Sequence, residues 1–145
     1  MLIRKYKEDD RSRILEILRL NTPAFFSPLE EKDLEYYLSN HADNFYVVEK
    51  DNKVVCCGGY NLADDPTIAR ISWDIVDPDY QGMGYGSELT NFRINKMKEI
   101  PGVKTISART SQLAYKYYER FGFKVKEEIK DYWAPGFDLV RMDLE

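Results

Sequence analysis

The chain reads as a single α/β domain on a mixed sheet, spanning residues 1 to 145, and three features lead to that class. Segments with strand-like and helix-like apolar spacing alternate along all 145 residues. The predicted order is β, α, α, β, β, β, α, β, α, β, β, with hairpins on both sides of a central βαβα run, which mixes antiparallel with parallel pairing. No repeat, linker or low-complexity tract divides the chain. A domain of this size buries roughly two thirds of its unfolded surface without metal or disulfide support.

The elements follow in order. Leu2 to Tyr6 predicts a strand, and Asp9 or Asp10 caps a helix whose apolar face is Ile14, Leu15, Leu18 and Leu20. The run Asn21-Thr22-Pro23-Ala24-Phe25-Phe26-Ser27-Pro28 breaks that pattern, and Leu29 to Leu38 resumes it with Leu34, Tyr37 and Leu38 inward. Asn44 to Glu49 and Lys53 to Tyr60 predict a hairpin across Lys50-Asp51-Asn52, with Gly58-Gly59 bulging its second strand. Ile68 to Val76 is rich in β-branched residues, Ser87 to Ile100 has helical spacing, and Pro101-Gly102 ends that helix. Val103 to Arg109 predicts a strand and Ser111 to Phe121 a helix closed by Gly122. Phe123 to Trp133 and Phe137 to Leu144 complete a hairpin across Ala134-Pro135-Gly136.

Bulk properties exclude several function classes. With 21 basic and 25 acidic side chains evenly scattered, the chain lacks the clustered Lys and Arg of a nucleic-acid surface. No apolar run approaches the roughly 20 residues that cross a bilayer, and Met1-Leu2-Ile3-Arg4-Lys5 has no signal-peptide character. Cys56 and Cys57 are adjacent in a strand, where a disulfide would be strained, so reduced thiols in a cytoplasm are expected. No metal site is expected either.

The segment Ile75 to Ser87 carries the chemistry. Gly82, Gly84 and Gly86 lie between a strand and a helix, where residues without a Cβ let successive N–H groups turn inward on phosphate oxygens. The start of the following helix adds unpaired N–H groups and roughly half a positive charge. Asp77, Asp79 and Glu88 border the loop, so backbone dipoles must attract the anion. A dinucleotide module would space its glycines G-x-G-x-x-G and place an acid about 20 residues on, where this chain has Gly102-Val103-Lys104-Thr105. A P-loop would need Gly-Lys-Ser/Thr, which is absent.

Gln81-Gly82-Met83-Gly84-Tyr85-Gly86, with Val76 and Pro78 at their offsets, resembles the Q/R-x-x-G-x-G/A signature of the GNAT superfamily of acyl-CoA-dependent N-acyltransferases. Ser111 to Phe123, with Ala114, Tyr118 and Gly122-Phe123, is similar to that family's N-x-x-A-x-x-x-Y-x-x-x-G-F block, and the element order agrees along the whole chain. Two positions depart from the pattern: Ser111 stands where Asn is common, and Tyr85 where an aliphatic residue is usual. The run Asp131 to Met142 resembles ribosomal-protein N-terminal acetyltransferases.

The resemblance implies a mostly antiparallel twisted sheet of about seven strands with about four helices, its central parallel strands splayed apart. It implies acetyl-CoA as acyl donor and an amine as acceptor. The pyrophosphate would rest on the N–H groups of Gln81, Gly82, Met83, Gly84, Tyr85, Gly86 and Ser87, and the pantetheine arm would pair near Ile75, Val76 and Ser111. An N–H near Val76 would polarise the thioester carbonyl, and Tyr118 would protonate the leaving thiolate.

The acceptor must lose a proton, at a cost of about 4.6 kcal/mol for a lysine-like amine and about 1 kcal/mol for an α-amine at pH 7. Asp74, an acid within a central strand, is the candidate base, although a structural acid bonded to backbone or to Arg70 is the slightly stronger reading. Phe25, Phe26, Tyr132 and Trp133 are candidates for an aromatic wall around the acceptor or for ordinary core. Tyr117 is expected to face away from the site, Cys56 to serve the core rather than carry an acyl group, and His41 to cap or lie on the surface. The exposed terminal hairpin offers an edge for a homodimer. The alternative to transfer is an acyl-CoA-binding sensor.

Overall fold

A computed structural model describes residues 1 to 145. One seven-stranded sheet runs in the order β1-β2-β3-β4-β5-β7-β6. Its strands are β1 (Leu2–Lys5), β2 (Phe45–Lys50), β3 (Lys53–Leu62), β4 (Ile68–Val76), β5 (Thr105–Thr110), β6 (Phe123–Ala134) and β7 (Phe137–Leu144). Four helices, α1 (Arg11–Leu20), α2 (Glu31–Asn40), α3 (Tyr85–Lys98) and α4 (Tyr115–Glu119), complete the fold. Every neighbouring pair is antiparallel except β4 and β5, as expected for two strands joined by a crossover helix.

The alternation of β2 decides where the helices go. Tyr46 and Val48 face a core under α3 and α4 that contains Leu89, Met97, Tyr118 and Phe123. Phe45 and Val47 face a second core, under α1 and α2, with Ile14, Leu18, Leu34 and Leu38. Both faces of the central strands are therefore covered. Leu20, expected inward, is 53% exposed and Ile17 is fully buried in its place. The stripe Ile14, Ile17, Leu18 fits a 3.6-residue period better than one drawn through Leu20.

Local signals account for most boundaries. Asp51 and Asn52 both take positive φ, the conformation of a tight two-residue hairpin turn. Asp10 does not cap α1 with its side chain; its carboxylate accepts instead from the Lys7 amide and from Arg4, capping the short turn before the helix. The helix expected from Ser111 is shortened to Tyr115–Glu119. The Ser111 Oγ accepts from the Leu113 N–H at 3.2 Å and holds that stretch as a turn. Gly122, at φ +99°, ends it as expected.

Two irregularities open the middle of the sheet. β4 and β5 pair only from Ile68 and Thr105 to Ile71 and Ala108, and beyond that they part. Between Ser72 and Ile75 the register with β3 shifts by one residue, and Trp73 takes φ +54°. The extra residue belongs to β4, opposite Gly58, rather than to the glycine-bearing strand. The bulge lets the side chain of Asp74 turn toward α3.

Candidate functional site

The gap between β4 and β5 opens into a cleft of about 1200 Å³. At one end the chain leaves β4, and Asp77 donates its N–H to the Val55 carbonyl at 2.9 Å. The alternation of an antiparallel ladder then turns the N–H and carbonyl of Val76 to the opposite edge, which β5 has vacated. That carbonyl accepts from Asn21 Nδ2 at 2.9 Å, and Asn21 Oδ1 accepts from Gln81 Nε2 at 3.3 Å. Asn21 thus ties the end of α1 to the end of β4 and to the start of the glycine loop.

The loop itself turns on Gly82 (φ +77°) and Gly84 (φ +89°), a conformation costly to any residue with a Cβ. The first bond of α3 runs from the Glu88 N–H to the Gly84 carbonyl at 3.0 Å, so the amides of residues 82 to 87 have no partner in the chain. These six donors sit at the positive end of a 14-residue helix. The nearby Asp77 carboxylate is offset by Arg13 at 2.5 Å. Burial alone would raise its pKa, but the Asp79 N–H and Arg13 hold it below the usual range.

Ile75, Val76, Gln81, Gly82, Gly84, Tyr85, Gly86 and Ser87 line this cleft together with Asp74, Ser111 and Tyr118. Met83 alone of the expected residues does not, its side chain being 61% exposed. Gly86 keeps the helix start close to β4: a Cβ there would lie 3.2 Å from Val76 Cγ2, tighter than an ordinary contact. Tyr117, expected to face away, also lines the cleft and pairs its hydroxyl with Thr90 Oγ1 at 2.9 Å. Arg120 stacks on the Tyr117 ring at 4.9 Å and lines the same end.

At the centre lies a charged chain. Tyr118 donates its hydroxyl to Asp74 Oδ2, and Arg93 Nη2 donates to Asp74 Oδ1. Arg93 is wholly buried on α3 and also donates to the Gly59 carbonyl at 3.1 Å and to Thr90 Oγ1 at 3.3 Å. Burial works against its charge, yet Asp74 more than offsets this and its pKa is raised. Burial, then the Asp74 charge, lifts the Tyr118 phenol well above its ordinary value, so it is neutral throughout the physiological range. The partner of Asp74 is thus Arg93, not Arg70. The signal for Arg93 was its place in the stripe Leu89, Arg93, Met97, where an apolar residue is the norm.

Aromatic and charged groups close the other end. Phe26 stacks on Trp73 with ring centres 6.1 Å apart, and Phe25, Phe26 and Trp133 line the cleft. Tyr132 does not; it is 45% exposed and bonded to Arg109 at 2.8 Å. His41 is exposed and caps the end of α2, its N–H donating to the Tyr37 carbonyl, as expected; from there it lines the rim of the cleft beside Tyr37, rings 6.1 Å apart. Glu30, buried and bonded to the Ser27 N–H at 2.8 Å, adds a carboxyl whose pKa burial raises. The two thiols have no such access: burial pushes Cys56 to about 12 and Cys57 well above its ordinary value, which suits the core role expected for them.

Comparison with known proteins agrees with this geometry. The model of the acetyltransferase (GNAT) family matches residues 12–123. An uncharacterized N-acetyltransferase of Methanocaldococcus jannaschii is 30% identical over 98% of this chain and 90% of its own length. An amino-acid acetyltransferase of Azotobacter vinelandii is 28% identical over 84% of this chain, which spans only 27% of that longer protein. The crystal structure of a ribosomal-protein-alanine N-acetyltransferase from Brucella melitensis shares the fold, with a TM-score of 0.77 at 20% identity over 99% of this chain and 98% of that one. A sheet splayed at its parallel pair, a glycine loop heading a helix, and a family model covering both lead to one conclusion: the chain belongs to the acetyltransferase (GNAT) family.

Proposed function

We propose that the protein transfers an acetyl group from acetyl-CoA to a primary amine within a ternary complex. The observation that carries this reading is the row of six unpartnered amides at residues 82 to 87, opening onto the same cleft as Tyr118 and Asp74. The amides of Gly82 to Ser87 hold the pyrophosphate by backbone dipoles alone, while that of Gln81, expected among them, is turned back onto the Pro78 carbonyl at 3.4 Å. Ile75, Val76 and Ser111 line the path of the pantetheine arm. Acetyl-CoA, when bound, supplies the activated thioester.

The remaining chemistry belongs to the chain. The free N–H of Val76 stabilises the oxygen on which negative charge develops as the amine attacks. Tyr118 turns its hydroxyl from Asp74 to the departing sulfur. With a pKa well above that of a thiol, it stabilises the thiolate by hydrogen bonding before giving up its proton. The same turn frees Asp74 Oδ2, which accepts the proton lost by the nitrogen and returns it to the tyrosinate. A C–N bond forms, the C–S bond breaks, and one proton passes from nitrogen to sulfur.

The free, buried cysteines support a cytoplasmic setting, and no helix is long and apolar enough to cross a membrane. The outer strand β6, paired on one side only, supports self-association along that edge.

The test is thiol release from acetyl-CoA across a panel of amines, with Tyr118→Phe and Asp74→Asn beside the wild type. Tyr118→Phe is expected to lower kcat about 100-fold with little change in CoA affinity, the size of a lost general acid. Asp74→Asn is expected to lower kcat by a similar factor, the size of a lost general base. Full turnover in Tyr118→Phe would eliminate that residue as donor, and tight CoA binding without thiol release in the wild type would identify a sensor.

A further inference from the structure

Two arginines at the acceptor end have no carboxylate to answer them. Arg70 on β4 and Arg109 on β5 both line the main cleft and a neighbouring cavity of about 390 Å³. Neither forms an ion pair within the chain. The acids in the smaller cavity are already engaged: Glu127 and Asp143 lie 3.3 and 3.1 Å from Arg141.

The placement of Arg109 is costly without a use. It stands directly across from Arg141 in the β5 and β7 ladder, and like charges so placed repel. Its guanidinium is nonetheless fixed, donating to the Tyr132 hydroxyl at 2.8 Å and lying 5.2 and 5.8 Å from the Tyr132 and Trp133 ring centres. An arginine stacked on rings, with donors still unspent, is organised for a planar anion. Arg70 pairs with Ser107, two residues before Arg109 on β5 and one pair before β4 and β5 part.

The phosphates of the acyl donor are not that anion. Six residues of strand, roughly 20 Å, separate Arg70 from Val76, beyond which the phosphate-binding loop begins. Asp74 and Tyr118 lie between the two ends, so what reaches the arginines enters from the acceptor side. From these contacts we infer that the acceptor is a primary amine that also carries a carboxylate, held by Arg70 and Arg109. Four residues separate Arg70 from Asp74, roughly 13 Å of strand. The carboxylate therefore sits several bonds from the reacting nitrogen, on a free amino acid or in an acidic peptide.

This inference rests on the transferase reading, and its test separates the two. Thiol release is measured with ω-amino acids of increasing length against alkylamines of equal length. A second set compares peptides carrying Asp with the same peptides carrying Asn. The carboxylate member of the best pair is expected to exceed its partner at least tenfold in kcat/KM, and the set that does so identifies the source. Arg70→Gln and Arg109→Gln are each expected to reduce that ratio through KM with kcat little changed, whereas Arg109→Lys retains part of it. Turnover of amines with a ratio near one, or a ratio unmoved in both Gln variants, overturns the inference and leaves transfer intact. No thiol release with any amine defeats the transfer reading itself.

Discussion

Arg93 holds a full positive charge where no part of its side chain meets solvent, and the Asp74 carboxylate opposite it is only 17% exposed. Taking both groups from water costs several kcal/mol per ion, and their attraction repays this only while the pair is intact and its remaining donors are satisfied. The Gly59 carbonyl, the Leu89 carbonyl and Thr90 Oγ1 meet that condition. Gly58 supplies the room, since a Cβ there would fall 2.5 Å from Arg93 Nη1 and 2.8 Å from Asp74 Oδ1. Arg93→Met is expected to destabilise the fold by about 3–5 kcal/mol, because it strands the carboxylate. Adding Asp74→Leu should recover part of that loss, a coupling that urea unfolding of the single and double variants measures directly. A cost below about 1 kcal/mol for Arg93→Met would show that water reaches the carboxylate and that the pair is not a structural centre.

Strand β3 runs through the middle of the sheet, and its sequence Val54-Val55-Cys56-Cys57-Gly58-Gly59 serves three neighbours at once. Burial raises the Cys56 thiol to about 12 and the Cys57 thiol well above its ordinary value, while an unfolded chain releases thiol protons near 8.5. Above about pH 8.5 the unfolded state therefore binds fewer protons than the folded one. Stability is complete below that pH and falls as pH rises toward 12, by up to about 1.4 kcal/mol per pH unit for each thiol. Replacing both cysteines with alanine should lower stability at pH 7 but flatten its decline between pH 8.5 and 10. An unchanged slope would mean that the thiols are not its source. The glycine pair shows what sequence can and cannot tell. Its presence signalled an irregularity, yet the extra residue lies in β4, because placing a bulge requires knowing which strand carries the side chain being re-aimed. That the glycine loop and Tyr118 share one cleft was legible, since each is marked by residues at fixed local spacing. The partners of Arg93, Asn21 and Arg109 were not, because each is brought close only by the fold: Asp74, Val76 and a ring at Tyr132.

Across the whole molecule, the block formed by β5, β7, β6 and α4 joins the rest of the sheet through only four register pairs between β4 and β5. Past those pairs the halves are held by helix packing on one face, and the cleft lies between them. A ligand spanning from the amides of residues 82 to 87 to Ser111 and Tyr118 touches both halves, so its binding energy adds to the stability of their union. At a CoA concentration 100 times its dissociation constant, linkage gives about 2.7 kcal/mol. For a domain of this size that corresponds to a rise in Tm of roughly 6 to 11 °C. Gly84, at φ +89°, makes a sensitive control. Alanine there costs about 1–2 kcal/mol in a left-handed conformation and disturbs the amides proposed to hold the phosphates. If affinity falls tenfold, the same CoA concentration stabilises Gly84→Ala by only about 1.4 kcal/mol, roughly half the wild-type gain. Scanning calorimetry of both proteins with and without CoA reads the comparison directly. Equal shifts in the two proteins would mean that the glycine loop is not where CoA binds, whereas a halved shift places the phosphates on it.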